Sequence, residues 1–282
     1  MVLFPTGRFG QPCRSFVSEG SELKQIAVAL GVVVALAGAP SGQAAVADLW
    51  YLTFDPIDAV AGTQSGPQEV VSYDPGTGSA APVRSLTEAP VEIDGFERLD
   101  ADRYYFSTST HAQLDGLTVA PGDVVLSESQ GLSLAFDASA EDLPASIDVD
   151  AVAVNQDDEL VLSVDTHVQL DGIVFEDADL FRFDGSAFHV YFDAGAAGLP
   201  DHADVDAATS LSAGRIVIST RTGGRIQGTT YDHGSLLLID GDGTFASVQF
   251  DASDASGTTS DIVSLSAEPV GDAIFSDRFQ GS

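Results

Sequence analysis

Short apolar and aromatic runs, separated by turn residues, dominate the sequence after residue 47. Between residues 148 and 203, four runs alternate apolar and polar positions as β-strands do. These runs are Asp150–Val154, Leu160–Asp165, Leu180–Asp184 and Phe188–Asp193. Gly, Asp, Asn and Pro lie between them, as turns require. Since no stretch of ten or more residues in this part of the sequence has a helical apolar period, the pattern predicts an all-β domain.

The four-run pattern recurs with a period of 56 residues, marked by Gly116, Gly172 and Gly228. A fixed period of this size is typical of a repeat architecture. The three copies cover residues 94–147, 148–203 and 204–260, and each contains a phenylalanine followed by Asp-Ala in its fourth run. Period-2 alternation places Phe188, Val190 and Phe192 on one side of that run in the second copy.

The chain on either side of the three copies supplies the parts of a fourth. Asp48–Asp55, Glu69–Asp74 and Ala81–Leu86 correspond to second, third and fourth strands, and Asp261–Ala267 corresponds to a first strand. Repeats bury their faces only against neighbours, and ring closure removes the exposed ends. We therefore expect a four-bladed β-propeller of four-stranded repeats, closed by pairing N- and C-terminal strands in one blade. A β-solenoid or a sandwich is the alternative.

The first 47 residues differ from the rest. Ile26–Gly38 is an apolar run with Lys24 before it and Ala45-Val46-Ala47 after it, which is the layout of a secretory signal peptide. A membrane anchor is the alternative, but the run is shorter than the ~20 residues needed to span a bilayer. We expect a signal peptide with an N-terminal extension (1–47), a single propeller domain (48–268) and a C-terminal tail (269–282). The mature chain would be secreted, extracellular, periplasmic or on the cell surface, with no membrane span.

The net charge of the chain after residue 47 argues against two classes of binding partner. Residues 48–282 contain eight basic residues, all Arg, and 41 acidic residues, for a net charge of −33. Such a surface repels nucleic acid and anionic lipid, so neither is an expected partner. Strong acidity often indicates disorder, but the recurring strand-like alternation indicates a folded domain with a solvated acidic surface. The same residues contain no Cys, so the core, a bound ion or both must stabilise the fold.

Acidic residues cluster where the first strand of each predicted blade begins. They are Asp94, Asp148, Asp150, Asp204, Asp206 and Asp261. In a propeller the first strands line the central channel, and carboxylates converging there repel one another unless a cation lies between them. These residues motivate the hypothesis of an axial Ca²⁺ or similar hard cation, the one cofactor that we predict. The alternative is that they cap turns and accept hydrogen bonds from local backbone N–H groups.

Two stretches resemble a hemopexin-type repeat. They are Asp206-Ala207-Ala208 followed by Gly214–Ile218 and Leu236–Asp240, and Asp150-Ala151-Val152 with Leu180–Asp184. The resemblance implies four blades, each opening with Asp-Ala, around a channel that carries ions. The strand spacing is also similar to NHL-type propeller repeats. The family's Trp in the third strand is absent and its ring-closing disulfide is impossible here, so the resemblance extends to architecture only.

The C-terminal sequence Ile274-Phe275-Ser276-Asp277-Arg278-Phe279-Gln280 is similar to an Ile-Phe-x-Asp-Gly-Phe-Glu ending of secreted bacterial proteins. Arg278 and Gln280 depart from that pattern, which puts a sorting role in doubt.

Motifs for catalysis are absent from the sequence. It has no Cys/His zinc spacing, no Gly-x-Ser-x-Gly elbow and no phosphate loop. Asp240-Gly241-Asp242-Gly243 has part of a calcium-loop pattern, but Asp-Gly is a favoured turn pair and predicts a tight hairpin. We therefore favour a non-catalytic protein over an enzyme.

Loop length distinguishes the two ends of each predicted blade. The first-to-second and third-to-fourth connections are short, whereas the other connections are long, and long loops on a rigid scaffold often carry function. The candidate binding residues on this long-loop face are His111, Asp115, His167, Asp171, His202 and Arg225. The sequence thus predicts a binding or scaffold protein that uses this face for a protein, glycan or surface ligand. The alternatives are a propeller hydrolase or lyase with a metal-assisted site, and a structural envelope component.

Overall fold

The computed structural model describes residues 47–55, 58–85, 91–252 and 260–269. The expected signal peptide, apart from Ala47, and the tail beyond Pro269 lie outside the described residues. In the described residues, no helix is long and apolar enough to cross a membrane.

Strands make up most of the described chain. In chain order, the first twelve are β1 (Ala47–Asp55), β2 (Asp58–Val60), β3 (Thr63–Ser65), β4 (Glu69–Asp74), β5 (Ser79–Ser85), β6 (Ile93–Arg98), β7 (Tyr104–Thr108), β8 (Ala112–Leu114), β9 (Leu117–Val119), β10 (Val124–Glu128), β11 (Gly131–Phe136) and β12 (Ala151–Val154). The remaining strands are β13 (Leu160–Ser163), β14 (Val168–Leu170), β15 (Ile173–Phe175), β16 (Leu180–Phe183), β17 (Phe188–Phe192), β18 (Ala207–Ser210), β19 (Ile216–Ser219), β20 (Gly224–Ile226), β21 (Thr229–Tyr231), β22 (Ser235–Ile239), β23 (Phe245–Asp251) and β24 (Asp261–Pro269). One helical turn, α1 (Ala194–Ala197), and one 3₁₀ turn, η1 (Ser212–Gly214), lie in connections.

Four antiparallel four-stranded sheets form the blades of a four-bladed β-propeller, as predicted. From the axis outward, blade 1 is β6-β7-β10-β11, blade 2 is β12-β13-β16-β17, blade 3 is β18-β19-β22-β23 and blade 4 is β24-β1-β4-β5. The inner strands β6, β12, β18 and β24 each contact both neighbouring inner strands, so they surround a common axis.

The ring closes through blade 4, where the two ends of the chain meet. β24 pairs with β1 antiparallel along both strands, from Ala47 opposite Pro269 to Asp55 opposite Asp261. Trp50 and Leu52 of β1 and Leu265 of β24 are buried in the same apolar cluster. The predicted pairing of N- and C-terminal strands is therefore confirmed, and it replaces the disulfide that the sequence cannot form.

Each blade also carries a small β-hairpin between its second and third strands. The four hairpins are β2-β3, β8-β9, β14-β15 and β20-β21. Their tips are the residue pairs Ala61-Gly62, Asp115-Gly116, Asp171-Gly172 and Gln227-Gly228, and both residues of every pair have positive φ. That backbone is the two-residue turn that matches strand twist and favours glycine at its second position. The 56-residue period of glycines therefore marks hairpin tips, in segments that the sequence predicts only as long loops.

The hydrophobic core consists of four apolar clusters, one between each pair of neighbouring blades. Each cluster includes the inward-facing residues of one hairpin. Between blades 1 and 2, for example, Val168, Leu170 and Phe175 of the hairpin pack with Phe136 of blade 1 and Phe181 of blade 2. Four blades diverge widely from a shared axis, and the hairpins fill the resulting gaps as wedges.

A β-bulge in the outer strand of each blade changes the side that its residues face. In blade 2, Leu180 lies opposite Phe192 but Phe181 lies opposite Val190, so one extra residue is inserted in β17. Phe188 consequently packs between blades 1 and 2, Phe192 packs between blades 2 and 3, and Val190 is 48% exposed. The prediction that these three residues share one side is therefore wrong, because period-2 alternation does not continue through a bulge.

The wedge role of the hairpins predicts a contrast between two adjacent residues of β15. Phe175→Ala should lower the free energy of unfolding by about 3–5 kcal/mol, because it leaves a cavity between two blades. Val174→Ala, at a position 53% exposed, should change it by less than about 0.5 kcal/mol. Urea unfolding followed by tryptophan fluorescence measures both. Equal losses for the two variants would contradict the wedge role.

Candidate functional site

The candidate site is the ring of acidic residues at the start of the inner strands. Three blades begin with the pattern acid–apolar–Asp, and the fourth replaces the last Asp with valine: Glu92-Ile93-Asp94, Asp148-Val149-Asp150, Asp204-Val205-Asp206 and Asp261-Ile262-Val263. The central apolar residue is at most 1% exposed in every blade. Successive side chains in extended backbone point to opposite sides, so the buried apolar residue sets the direction of the acids that flank it.

The six predicted aspartates come together as three pairs, each linking one blade to the next. Asp94 of blade 1 lies within hydrogen-bonding reach of Asp148 of blade 2. The corresponding pairs between blades 2 and 3 and between blades 3 and 4 are Asp150 with Asp204 and Asp206 with Asp261. The pattern is broken only between blades 4 and 1, where Val263 takes the place of the aspartate.

Burial raises the pKa of all six carboxyl groups. Desolvation is the main cause at each, and the charge of neighbouring aspartates adds to it at Asp148, Asp150 and Asp206. The pKa rises to about 6 at Asp94, Asp204 and Asp261, and to about 8 at Asp148. The pKa values of Asp150 and Asp206 rise well above the ordinary value. In the Asp94–Asp148 pair, Asp148 therefore holds a proton more tightly than Asp94.

The ring also has the largest group of buried oxygens without a hydrogen bond. Across the described residues, nine buried side-chain oxygens have no partner, and seven of them are ring carboxylate oxygens. Both oxygens of Asp150 and both of Asp206 are among them, at residues only 3% and 5% exposed. An unpaired buried polar atom is costly. Shared protons or a bound cation would satisfy these oxygens. Because every candidate ligand is an oxygen atom, the site suits a hard cation.

A rim residue follows the second strand of each of blades 1 to 3 and hydrogen-bonds to the first acid of that blade. The backbone N–H groups of Ser109, Asp165 and Arg221 donate to the carbonyl oxygens of Glu92, Asp148 and Asp204, at 3.3, 3.1 and 2.8 Å. In blade 2 the side chain of the rim residue also takes part, because the backbone N–H of Asp148 donates to Asp165 Oδ1 at 3.0 Å. The rim position therefore lies at the mouth of the channel, and in blade 3 it carries a positive charge.

Glu97 lies deeper on the axis, towards the short turns. It is buried in β6, and Thr209 of the opposite blade donates to its Oε2 at 3.1 Å. Burial raises the pKa of Glu97 well above its ordinary value, although hydrogen bonds from Thr209 and Ser266 act in the opposite direction. This side chain spans the channel and closes it below the aspartate ring. The repeat pattern does not predict Glu97, because it occurs in blade 1 only.

The aspartates meet in pairs and not around a single point. In the part of the chain that the structure describes, no three His, Cys, Asp or Glu side chains form a ready-made set of metal ligands. Cation binding would therefore require side-chain rotation towards the axis.

The predicted binding-face residues His111, Asp115, His167, Asp171, His202 and Arg225 are all exposed. They do not form one cluster. His111 and His167 precede the hairpins at the channel-mouth end. Asp171, at a hairpin tip, accepts a hydrogen bond at 3.1 Å from the backbone N–H of Phe188, which follows a short turn at the opposite end. The hairpins therefore extend along the blades, and their residues reach both ends.

The Asp240–Gly243 segment forms the tight turn between β22 and β23, as predicted. The N–H of Asp240 donates to the carbonyl oxygen of Thr244 at 2.8 Å, and Asp242 Oδ1 accepts from the N–H of Thr244 at 3.0 Å. Its acids thus serve the turn.

Comparison with solved structures finds distant similarities. No family model and no curated protein matches the chain. A hemopexin-fold protein, CP4 from cow pea, is similar at 11% identity over 68% of this chain and 88% of its own, with a TM-score of 0.39. A virginiamycin B lyase from Staphylococcus aureus is similar at 8% identity over 68% of this chain and 54% of its own, with a TM-score of 0.31.

A chain of a nidogen/laminin complex is similar at 10% identity over 77% of this chain and 97% of its own, with a TM-score of 0.33. The four blades that the hemopexin-type resemblance implies are present in the structure. The chain spans about half the length of the lyase that it matches. At such identities the likenesses concern the fold alone, and they assign neither ligand nor activity.

The raised pKa values predict that stability without added cations falls as pH rises. The folded ring binds more protons than the unfolded chain between the unfolded pKa of about 3.8 and the folded values of about 6 to 8. Unfolding releases those protons, so the contribution of the ring to the free energy of unfolding is largest below about pH 4 and is lost as the pH rises to about 8.

Urea unfolding in EDTA at pH 4 to 8 measures this dependence. Asp148→Asn should flatten the upper part of the curve, since Asp148 has a folded pKa of about 8. A stability that rises over this range would contradict the assignment.

Proposed function

We propose that this protein is a secreted, non-catalytic propeller whose aspartate ring binds one hard divalent cation of the Ca²⁺ class. The bound cation stabilises the inner strands and the channel mouth, where a partner binds. The observation that carries the proposal is the set of seven buried carboxylate oxygens without a hydrogen bond.

Charge favours a cation at the ring. Six aspartates converge there, and the rim adds one negative side chain, Asp165, and one positive side chain, Arg221. A cation would take the place of the protons that the raised pKa values hold in the ring.

The donor chemistry favours Ca²⁺ over other metals. The ring offers only oxygen, which suits Ca²⁺, Mg²⁺ and Mn²⁺ better than metals that prefer nitrogen or sulfur. The carboxyl groups must rotate from their pairs to bind one ion. Ca²⁺ tolerates irregular geometry and six to eight ligands, whereas Mg²⁺ requires a near-ideal octahedron. A ring without a preformed ligand set therefore suits Ca²⁺ best.

Burial of the ring favours an ion-holding role over catalysis. Asp150 and Asp206 are 3% and 5% exposed, and Glu97 closes the channel below them. A general acid or base must reach a substrate atom within hydrogen-bonding distance, and these carboxyl groups offer no such access to a molecule larger than an ion or water.

Partner binding is proposed for the channel-mouth end of the blades. An open depression of about 480 Å³ lies there beside blade 2, between residues 176–179 and the segment 193–203. Acidic side chains line it, among them Glu176, Asp177 and Asp201. Its volume falls in the range of small-ligand pockets, and its acidic lining suits a neutral, hydroxyl-rich or basic group better than an anion. A glycan or a protein side chain meets that description.

Thermal unfolding with and without CaCl₂ tests the cation site. At 100 times the dissociation constant, Ca²⁺ should stabilise the protein by about 2.7 kcal/mol, which corresponds to roughly 5–10 °C in Tm for a domain of this size. Asp150→Asn and Asp206→Asn each replace a carboxylate oxygen of the ring with an amide NH₂, which cannot bind a cation, and should reduce the response of Tm to Ca²⁺.

Asp115→Asn provides the matched control. It makes the same chemical change at an exposed hairpin tip with φ of 48°, a conformation that Asn accepts. It should leave the Ca²⁺ response unchanged. A wild-type Tm that does not change with Ca²⁺ or Mg²⁺ would refute the cation site.

A further inference from the structure

Arg221 is a permanently charged basic residue at the mouth of the aspartate ring. Its backbone N–H donates to the carbonyl oxygen of Asp204 at 2.8 Å, which holds it at the rim position that Ser109 and Asp165 occupy in blades 1 and 2. The side chain at this position can reach the start of the inner strand, as Asp165 shows by accepting the N–H of Asp148 at 3.0 Å. The same position thus carries a neutral, a negative and a positive side chain in three successive blades.

The guanidinium acts on the ring through its electric field. Burial opposes the charge of Arg221, but the carboxylates of Asp204, Asp206, Asp94 and Asp261 outweigh it and raise the pKa of the guanidinium. The charge of Arg221 in turn opposes the rise in the pKa of Asp94, Asp204 and Asp261. Among the described residues, no carboxylate lies within 4.0 Å of it as an ion pair, and the residue is exposed. Its positive charge therefore offsets the negative charge of the ring without a direct ion pair to any of the aspartates.

We propose that Arg221 is a tethered counter-ion that sets the cation affinity of the ring. The inference rests on the cation site proposed above. Without a bound ion, the guanidinium offsets part of the negative charge of the ring. When a divalent cation binds, the two positive charges repel each other, and this repulsion weakens binding. Arg221 is thus a residue that tunes affinity at the mouth, and it is not a ligand.

A charge series at position 221 tests the inference. The variants are Arg221→Lys, Arg221→Ser and Arg221→Asp, and the last two introduce the side chains that blades 1 and 2 already hold at this position. Calorimetric titration of each purified protein with CaCl₂ at low ionic strength measures the dissociation constant. We expect Lys to match wild type, Ser to bind about tenfold more tightly, and Asp to bind more tightly still.

Two further measurements separate charge from structure. Salt screens exposed charges, so the gap between Arg221→Ser and wild type should shrink in 0.5 M KCl, which a purely structural effect would not do. Arg225→Ala, four residues along in the hairpin, is the matched control. Its Nε donates to the carbonyl oxygen of Gly228 at 3.0 Å, and its removal should leave the dissociation constant unchanged.

The outcomes distinguish this inference from the cation site. If neither wild type nor any variant binds Ca²⁺, the cation site itself is wrong. If wild type binds and Arg221→Ser binds with equal or lower affinity, the cation site stands and the role of Arg221 is wrong. The role is also wrong if Arg221→Lys behaves like Arg221→Ser. Arg221→Lys and the salt dependence of wild type keep the test valid if an uncharged variant does not fold.

Discussion

Closure of the ring is the constraint on which the rest of the structure depends. A four-stranded blade has two faces, and each is buried only when another blade lies against it. Three blades from one continuous stretch would leave two faces exposed to water. The antiparallel pairing of β24 with β1 supplies the fourth blade from both ends of the chain and removes those exposed faces. Since residues 48–282 contain no cysteine, backbone hydrogen bonds and the cluster around Trp50 secure this closure.

The same closure creates the electrostatic problem at the axis. Bringing four inner strands together places six buried or half-buried aspartates in one layer, where desolvation and mutual repulsion oppose their charge. The blade-to-blade pairing of carboxyl groups, the positive charge of Arg221 and the replacement of one aspartate by Val263 all reduce that cost. Because uncompensated negative charge at the axis destabilises the fold, a cation bound among the carboxylates would stabilise it.

Repetition explains why so much of the architecture could be predicted. Equivalent residues recur at a fixed spacing, so an interpretation made for one copy could be tested against the other two. The six channel aspartates were identified in this way, from their position before the first strand of each copy. Asp115-Gly116 and Asp171-Gly172 are also hairpin-type turn pairs, but the strands flanking them are only three residues long, too short for an alternating pattern to be visible. Glu97 escaped because it occurs in a single copy, where no repeat points to it.

The sequence by itself determined the number of blades, the strand order and six of the acids at the axis, because these follow from local periodicity and from the 56-residue repeat. Only the tertiary structure decided how those elements meet. The bulge in β17 turned Phe188 and Phe192 to opposite sides, and the hairpins became wedges between blades. The pairing of each aspartate with one from the next blade, and the position of Arg221 above them, also depend on contacts between residues far apart in the chain. Local periodicity contains no information about such contacts.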